Sequence, residues 1–217
     1  WREGVGGGGD RGAIEKTGAA THIAAMRISL ILALLLLAAA PAQADFAAGQ
    51  AAREKRDFAA AAKEWQPEAE KGEVRSMVGL GELYLRGDGV KEDPRTAADW
   101  FKRAADKGYA EGQFAYGQLL RDGNGLRRDL RAAAEMFLKA ALQKNFNAQF
   151  ALGRMYELGQ GVDQDDVKAL AWYMISRDSG NPFADERATR LSLEMSAESI
   201  AASEKLAKDI PAKGAKL

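Results

Sequence analysis

Glycine pairs, alternating oxygen donors and paired carboxylates are the groupings in this sequence that could do chemistry. Gly87-Asp88-Gly89 returns as Gly123-Asn124-Gly125 and as Gly159-Gln160-Gly161, with the glycine density of a loop that cradles phosphate. A dinucleotide fingerprint needs a strand before it and a further glycine three residues on, and a P-loop needs Gly-Lys-Ser/Thr. Both are missing, so these segments read as turns. Asp122-Gly123-Asn124-Gly125 and Asp163-Gln164-Asp165-Asp166 place oxygen donors at alternate positions, as a calcium loop does. Neither supplies the glycine at the sixth place and the glutamate at the twelfth that such a loop requires. Glu92/Asp93 and Asp165/Asp166 could exchange protons, yet each pair directly precedes a helical pattern, where a carboxylate caps the helix and complements its dipole. The chain has no cysteine and a single histidine, His22. Thiolate chemistry is excluded. Once a leader carrying His22 is removed, a Ser-His-Asp triad and a His-ligated zinc centre are excluded as well. No Ser-x-x-Lys occurs in the repeated region. No catalytic residue, cofactor or metal is therefore expected.

The 217 residues carry 31 Lys+Arg against 31 Asp+Glu, a balance that speaks against an overall basic nucleic-acid binder. Residues 1–25 are glycine-rich without an apolar period and are expected to be upstream, non-native sequence. Residues 26–44 read as a secretory signal: Met26, a basic Arg27, an apolar run Ile28–Ala40, and the small-x-small site Ala42-Gln43-Ala44. The run is too short to cross a bilayer as a helix, which takes about 20 residues. Cleavage after Ala44 would release a nearly neutral chain without His or Cys into the periplasm. An uncleaved signal would instead leave a membrane-tethered structural protein.

The remaining chain is organised by a 36-residue repeat, over 73–108, 109–144 and 145–180. Five positions are identical in all three copies: Gly81/Gly117/Gly153, Gly87/Gly123/Gly159, Gly89/Gly125/Gly161, Asp93/Asp129/Asp165 and Ala97/Ala133/Ala169. Each unit reads as two helices. The first covers Val74–Arg86, Ala110–Asp122 and Phe146–Leu158, with apolar or small residues at helical spacing, and ends at a glycine suited to a left-handed C-cap. The second starts at the invariant Asp as N-cap, with Pro94 at a permitted first position. The glycine at 81, 117 and 153 falls mid-helix, where it costs about 1 kcal/mol relative to alanine. A bulky aromatic of the second helix packed over it would offset that cost. The recurring aromatics Trp65, Trp100, Phe101, Phe137, Trp172 and Tyr173 read as core. A single helix pair cannot bury its own apolar face, so the pairs should stack. Residues 45–72 form a shortened unit, 181–208 a more polar capping pair with Ser196 as N-cap, and 209–217 a tail.

The pattern Ala/Gly-x-Leu/Tyr-Gly-x-Leu/Met-Tyr/Leu-x-x-Gly-x-Gly-Val/Leu, then Asp, then paired Ala before Trp/Phe, resembles the Sel1-like repeat. It departs at Met77, where a polar residue is usual, at Leu120, where a Tyr is usual, and at Met136, where an aromatic is usual. The resemblance implies an all-α fold, a right-handed solenoid of antiparallel helix pairs similar to tetratricopeptide arrays, with first helices lining a concave face. It implies adaptor, scaffold or regulatory roles at the bacterial envelope. Enzymatic activity proposed for some such proteins keeps an envelope hydrolase or antibiotic-binding enzyme as an alternative.

If Met77, Leu80, Gly81 and Tyr84 face the second helix, the other face of the first helix carries Arg75, Val78, Glu82 and Leu85. Its equivalents are Glu111, Phe114, Gln118 and Arg121, then Asn147, Phe150, Arg154 and Glu157. Stacked, these form an apolar ladder, Val78, Phe114 and Phe150, flanked by mixed charges. Apolar anchors with a polar rim suit a partner-binding groove. The same ladder could instead pack between adjacent first helices as core. The expected partner is another protein or a peptide, not nucleic acid, bound by a monomer.

Overall fold

The computed structural model describes residues 46–213, with side chains to 210. The signal segment and residues 1–25 lie outside them. Among the described residues there are ten helices and no strand: α1 (46–54), α2 (Phe58–Lys71), α3 (Val74–Arg86), α4 (Pro94–Asp106), α5 (Ala110–Asp122), α6 (Leu130–Leu142), α7 (Phe146–Leu158), α8 (Asp166–Asp178), α9 (Ala184–Ser192) and α10 (Ala197–Lys213). Phe46 of α1 stacks on Trp65 of α2, each helix from α2 packs on the next through α9, and α10 packs on α8. The chain is an α-solenoid of stacked helix pairs.

Local sequence explains the ends of the central helices. Asp93 accepts hydrogen bonds from the Arg95 and Thr96 amides, Asp129 from Ala132 and Asp165 from Lys168, each satisfying an amide that a helix start leaves unpaired. The Thr96 hydroxyl also donates to Asp93 and, with these amides, holds its carboxyl below the usual aspartate range. At the other end Gly87, Gly123 and Gly159 are left-handed, and their amides return to the Leu83, Leu119 and Met155 carbonyls. The shortened first unit has an Asp cap too: Asp57 accepts from the Ala60 amide.

The mid-helix glycines are explained by the rings above them. A Cβ on Gly81 would lie 2.4 Å from Phe101, one on Gly117 2.8 Å from Phe137, and one on Gly153 2.8 Å from Tyr173. The missing side chain lets an aromatic of the second helix reach the backbone of the first, and that contact offsets the glycine's poor helix propensity. The second glycine of each linker makes a joint that local pattern does not reveal. A Cβ on Gly125 would lie 2.2 Å from the Pro94 carbonyl oxygen, and one on Gly161 2.3 Å from that of Leu130. Each linker is thus seated against the start of the preceding second helix.

The core runs between the two layers of helices. Trp65, Phe101, Phe137, Trp172 and Tyr173 are all buried, and paired alanines such as Ala133 and Ala134 let the helices approach closely. The C-terminal end departs from expectation. Residues 209–213 are not a tail but the last turn of α10. Ile210 is buried with Ile175 and Trp172 in one apolar cluster, and that burial holds the helix past the point where the tail was expected to begin.

Candidate functional site

The first helices α3, α5 and α7 each pack against the second helix of their own pair and the second helix before it, which leaves only a strip of each as an outer face. Val78, Phe114 and Phe150 are half-buried on that outer face. The Phe114 ring lies 5.7 Å from Phe137 and the Phe150 ring 5.4 Å from Tyr173, both tilted. Val78 packs against the clusters around Trp65 and Phe101. Each ladder residue therefore rests in part on the core and stays partly accessible, Phe114 and Phe150 against their own pair and Val78 between its own pair and the one before. Leu85 is half-buried against the Phe101 cluster.

The charged flanks differ along the face. At its N-terminal end Glu82 pairs with Arg53 of α1 at 3.0 Å, and Arg75 pairs with Glu73 at 2.9 Å while lying 4.4 Å from the Phe46 ring centre. At its C-terminal end Glu157 is held in two-point fashion by Arg187 of α9, at 2.7 and 3.0 Å, and accepts from the Tyr173 hydroxyl. Burial and that hydrogen bond push the Tyr173 phenol well above the ordinary tyrosine range. The flanking helices thus occupy the charges at both ends.

The middle is more open. Glu111, Asn147 and Arg154 are exposed and Gln118 is half-buried. Arg121 grips Asp122 by two hydrogen bonds, at 2.7 and 3.0 Å, which hold its guanidinium charged. Arg128, from the loop after α5, donates to the Arg121 carbonyl at 2.9 Å. Arg121, Arg128 and Arg154 line a hollow of about 290 Å³, closed below by Ala151 and Met155. Its one carboxylate, Asp122, leaves the lining with an excess of positive charge. Sequence reasoning had Arg121 and Arg154 but missed Arg128. Its repeat equivalents are Glu92 and Gln164, so the position carries no periodic signal and its role comes only from the loop's path.

The other candidates take structural places. Asp93, Asp129 and Asp165 are spent on helix caps, and the Gly-x-Gly segments are turns seated on the preceding helix pair. Among the described residues no three His, Cys, Asp or Glu side chains gather as a metal site would need. No helix among them is long and apolar enough to cross a membrane.

The Sel1 repeat family model matches residues 74–109, 110–145 and 147–181, within two residues of the frame read from the glycine columns. Among solved structures, the chain is similar to a protective antigen present in uropathogenic Escherichia coli strains and displaying an SLR fold. That likeness has 32% identity and a TM-score of 0.67, over 72% of this chain and 33% of that one. It is also similar to a Sel1 repeat protein from Oxalobacter formigenes, with 26% identity and a TM-score of 0.63, over 66% of this chain and 57% of that one. The chain therefore spans a third of the first and under three fifths of the second. No curated protein matches the chain. Three tandem matches on a stack of helix pairs whose caps and glycine contacts repeat with the same period place this chain in the Sel1-repeat family, whose members are typically protein-interaction scaffolds.

Proposed function

We propose that the chain is an exported, non-enzymatic adaptor that binds a protein or peptide partner through the outer face of α5 and α7. The observation that carries this reading is the hollow formed by Arg121, Arg128 and Arg154 beside the accessible edges of Phe114 and Phe150. An apolar anchor next to a cationic pocket suits a partner segment that pairs an apolar side chain with a carboxylate. The flanking salt bridges from Arg53 and Arg187 mark the limits of the face. Export rests on the Met26–Ala44 pattern, and a periplasmic partner follows from it.

The test is capture from periplasmic extract with residues 45–217 as bait, against the same bait carrying Arg121→Glu and Arg154→Glu. Arg154 is exposed and Arg121 is half-buried with Asp122 as its side-chain partner, so helical circular dichroism and melting temperature are first matched between the two baits. A protein retained by the first bait, lost with the second and eluted by salt is the expected result. Equal retention by both baits would move the binding face away from α5 and α7. A free N-terminus other than Asp45 on protein recovered from cells would remove the export step.

A further inference from the structure

We propose that a cleft between the ends of α6 and α8 and the side of α10 that faces α8 binds an acylated apolar α-amino acid. This chemistry is an amide N–H beside a carboxylate and an apolar side chain. The cleft is separate from the outer face of α5 and α7, and its case rests on how one helix pair differs from its neighbour.

Gln113 and Gln149 occupy equivalent places in the first turns of α5 and α7, and both are buried, at 5% and 2% exposure. The Gln113 carbonyl oxygen receives the side-chain amide of Gln143, the C-cap residue of α6, at 2.8 Å. At the equivalent C-cap of α8 stands Ser179, whose side chain is three heavy atoms shorter. Gln149 donates its own amide to the Ala141 carbonyl at 3.1 Å. Its oxygen has no partner and is shut off from bulk water. A buried amide oxygen left unpaired is costly, and native structures rarely keep one.

Gln149 and Ser179 both line a cleft of about 650 Å³, a size ordinary for small-ligand sites. An occupant of that cleft would supply the donor that Gln149 lacks. The walls are Trp172, Ile175, Ala207 and Ile210, with Leu142 left 44% exposed at the mouth. They ask for an apolar group. Two charges complete the lining. Asp178 is held by Arg177 at 3.0 Å. Lys144 has no ion pair among the described residues, and it takes a left-handed backbone, φ 68°, where the neighbouring repeats place Gly108 and Gly180. A lysine there bears a conformational cost that glycine avoids. What it adds is a cation at the cleft. An acceptor without a donor, a cation without an anion and an apolar wall define the ligand: N–H to Gln149, carboxylate to Lys144, side chain against Trp172 and Ile210.

Two sources carry this chemistry, a free N-acyl amino acid and the C-terminus of a peptide. Calorimetric titration of the full chain with N-acetyl-leucine, acetyl-Ala-Ala-Leu with a free carboxylate, and N-acetyl-leucinamide separates them. Saturable binding of at least one carboxylate probe is expected, at a Kd of about 1 mM or tighter. The leucinamide should bind about tenfold more weakly, a difference of about 1.4 kcal/mol. Lys144→Gly should lose that same factor and stop distinguishing acid from amide. Ser179→Gln should supply the missing donor from within the chain, abolishing binding while raising the melting temperature. Tighter binding of the tripeptide identifies a peptide terminus, and equal binding a free small molecule. Wild type that binds neither carboxylate probe overturns the proposal. So does Ser179→Gln that binds as well as wild type, or acid and amide bound alike by wild type.

Discussion

Phe137 and Phe114 belong to one helix pair, with ring centres 5.7 Å apart, yet the first is wholly enclosed and the second only half so. Phe137 lies over the bare backbone of Gly117 and is walled by Ala133 and Ala134, residues small enough to bring the next helix in. Phe114 leans on Phe137 from one turn before Gly117, and its outer edge stays partly open. The third pair repeats the arrangement, with Tyr173 over Gly153 and Phe150 half-covered beside it. Equal periodicity therefore does not mean equal role. The glycine opposite an aromatic decides which of two recurring apolar columns becomes core.

The largest effect expected from this contrast is at Phe137. Its replacement by alanine should cost about 3–5 kcal/mol, because the rigid alanine-lined slot cannot collapse. Urea unfolding followed by circular dichroism measures it. Phe114→Ala should cost about 1–2 kcal/mol, since only part of its surface is removed from water on folding. Equal losses at the two positions would erase the distinction and make the ladder core. A smaller effect is expected at high pH. The second-helix column has one ionisable member that bonds the outer face, Tyr173 to Glu157. Its phenol titrates above the ordinary tyrosine value of 10.0, so the folded state holds the proton more tightly than the unfolded state. The stabilisation is complete below that value and is lost as pH rises above it. Tyr173→Phe should flatten the fall in melting temperature above about pH 10. A fall as steep as in wild type would show that Tyr173 is not the group responsible.

Much of this architecture was legible because its signals are local. The span of each first helix in the repeats, the Asp caps and the C-terminal glycines follow from spacing within a dozen residues. The overlay of rings on Gly81, Gly117 and Gly153 could be anticipated, because a mid-helix glycine repeated in register demands an offset. The last turn of α10 was not legible, because the burial of Ile210 depends on α8, some thirty residues earlier. Arg128 and the Gln149–Ser179 difference were hidden for another reason. Both lie where one copy departs from the others, and a search for sameness passes over departures. The face residues Val78, Phe114 and Phe150 could be read as a column, but half-burial is set by what neighbouring helices leave uncovered.

The seating of each Gly-x-Gly linker on the start of the preceding second helix has a consequence for how such a chain can grow. Gly125 meets Pro94, and Gly161 meets Leu130, in the same geometry, so the joints are interchangeable. Unequal crossing-over between the tandem coding segments, 36 codons out of step, would yield a longer or shorter protein in which every joint is of a kind already present. A slip of any other length would bring a side chain down on a carbonyl. The linker glycine thus acts as a length standard, admitting changes to the gene in whole units.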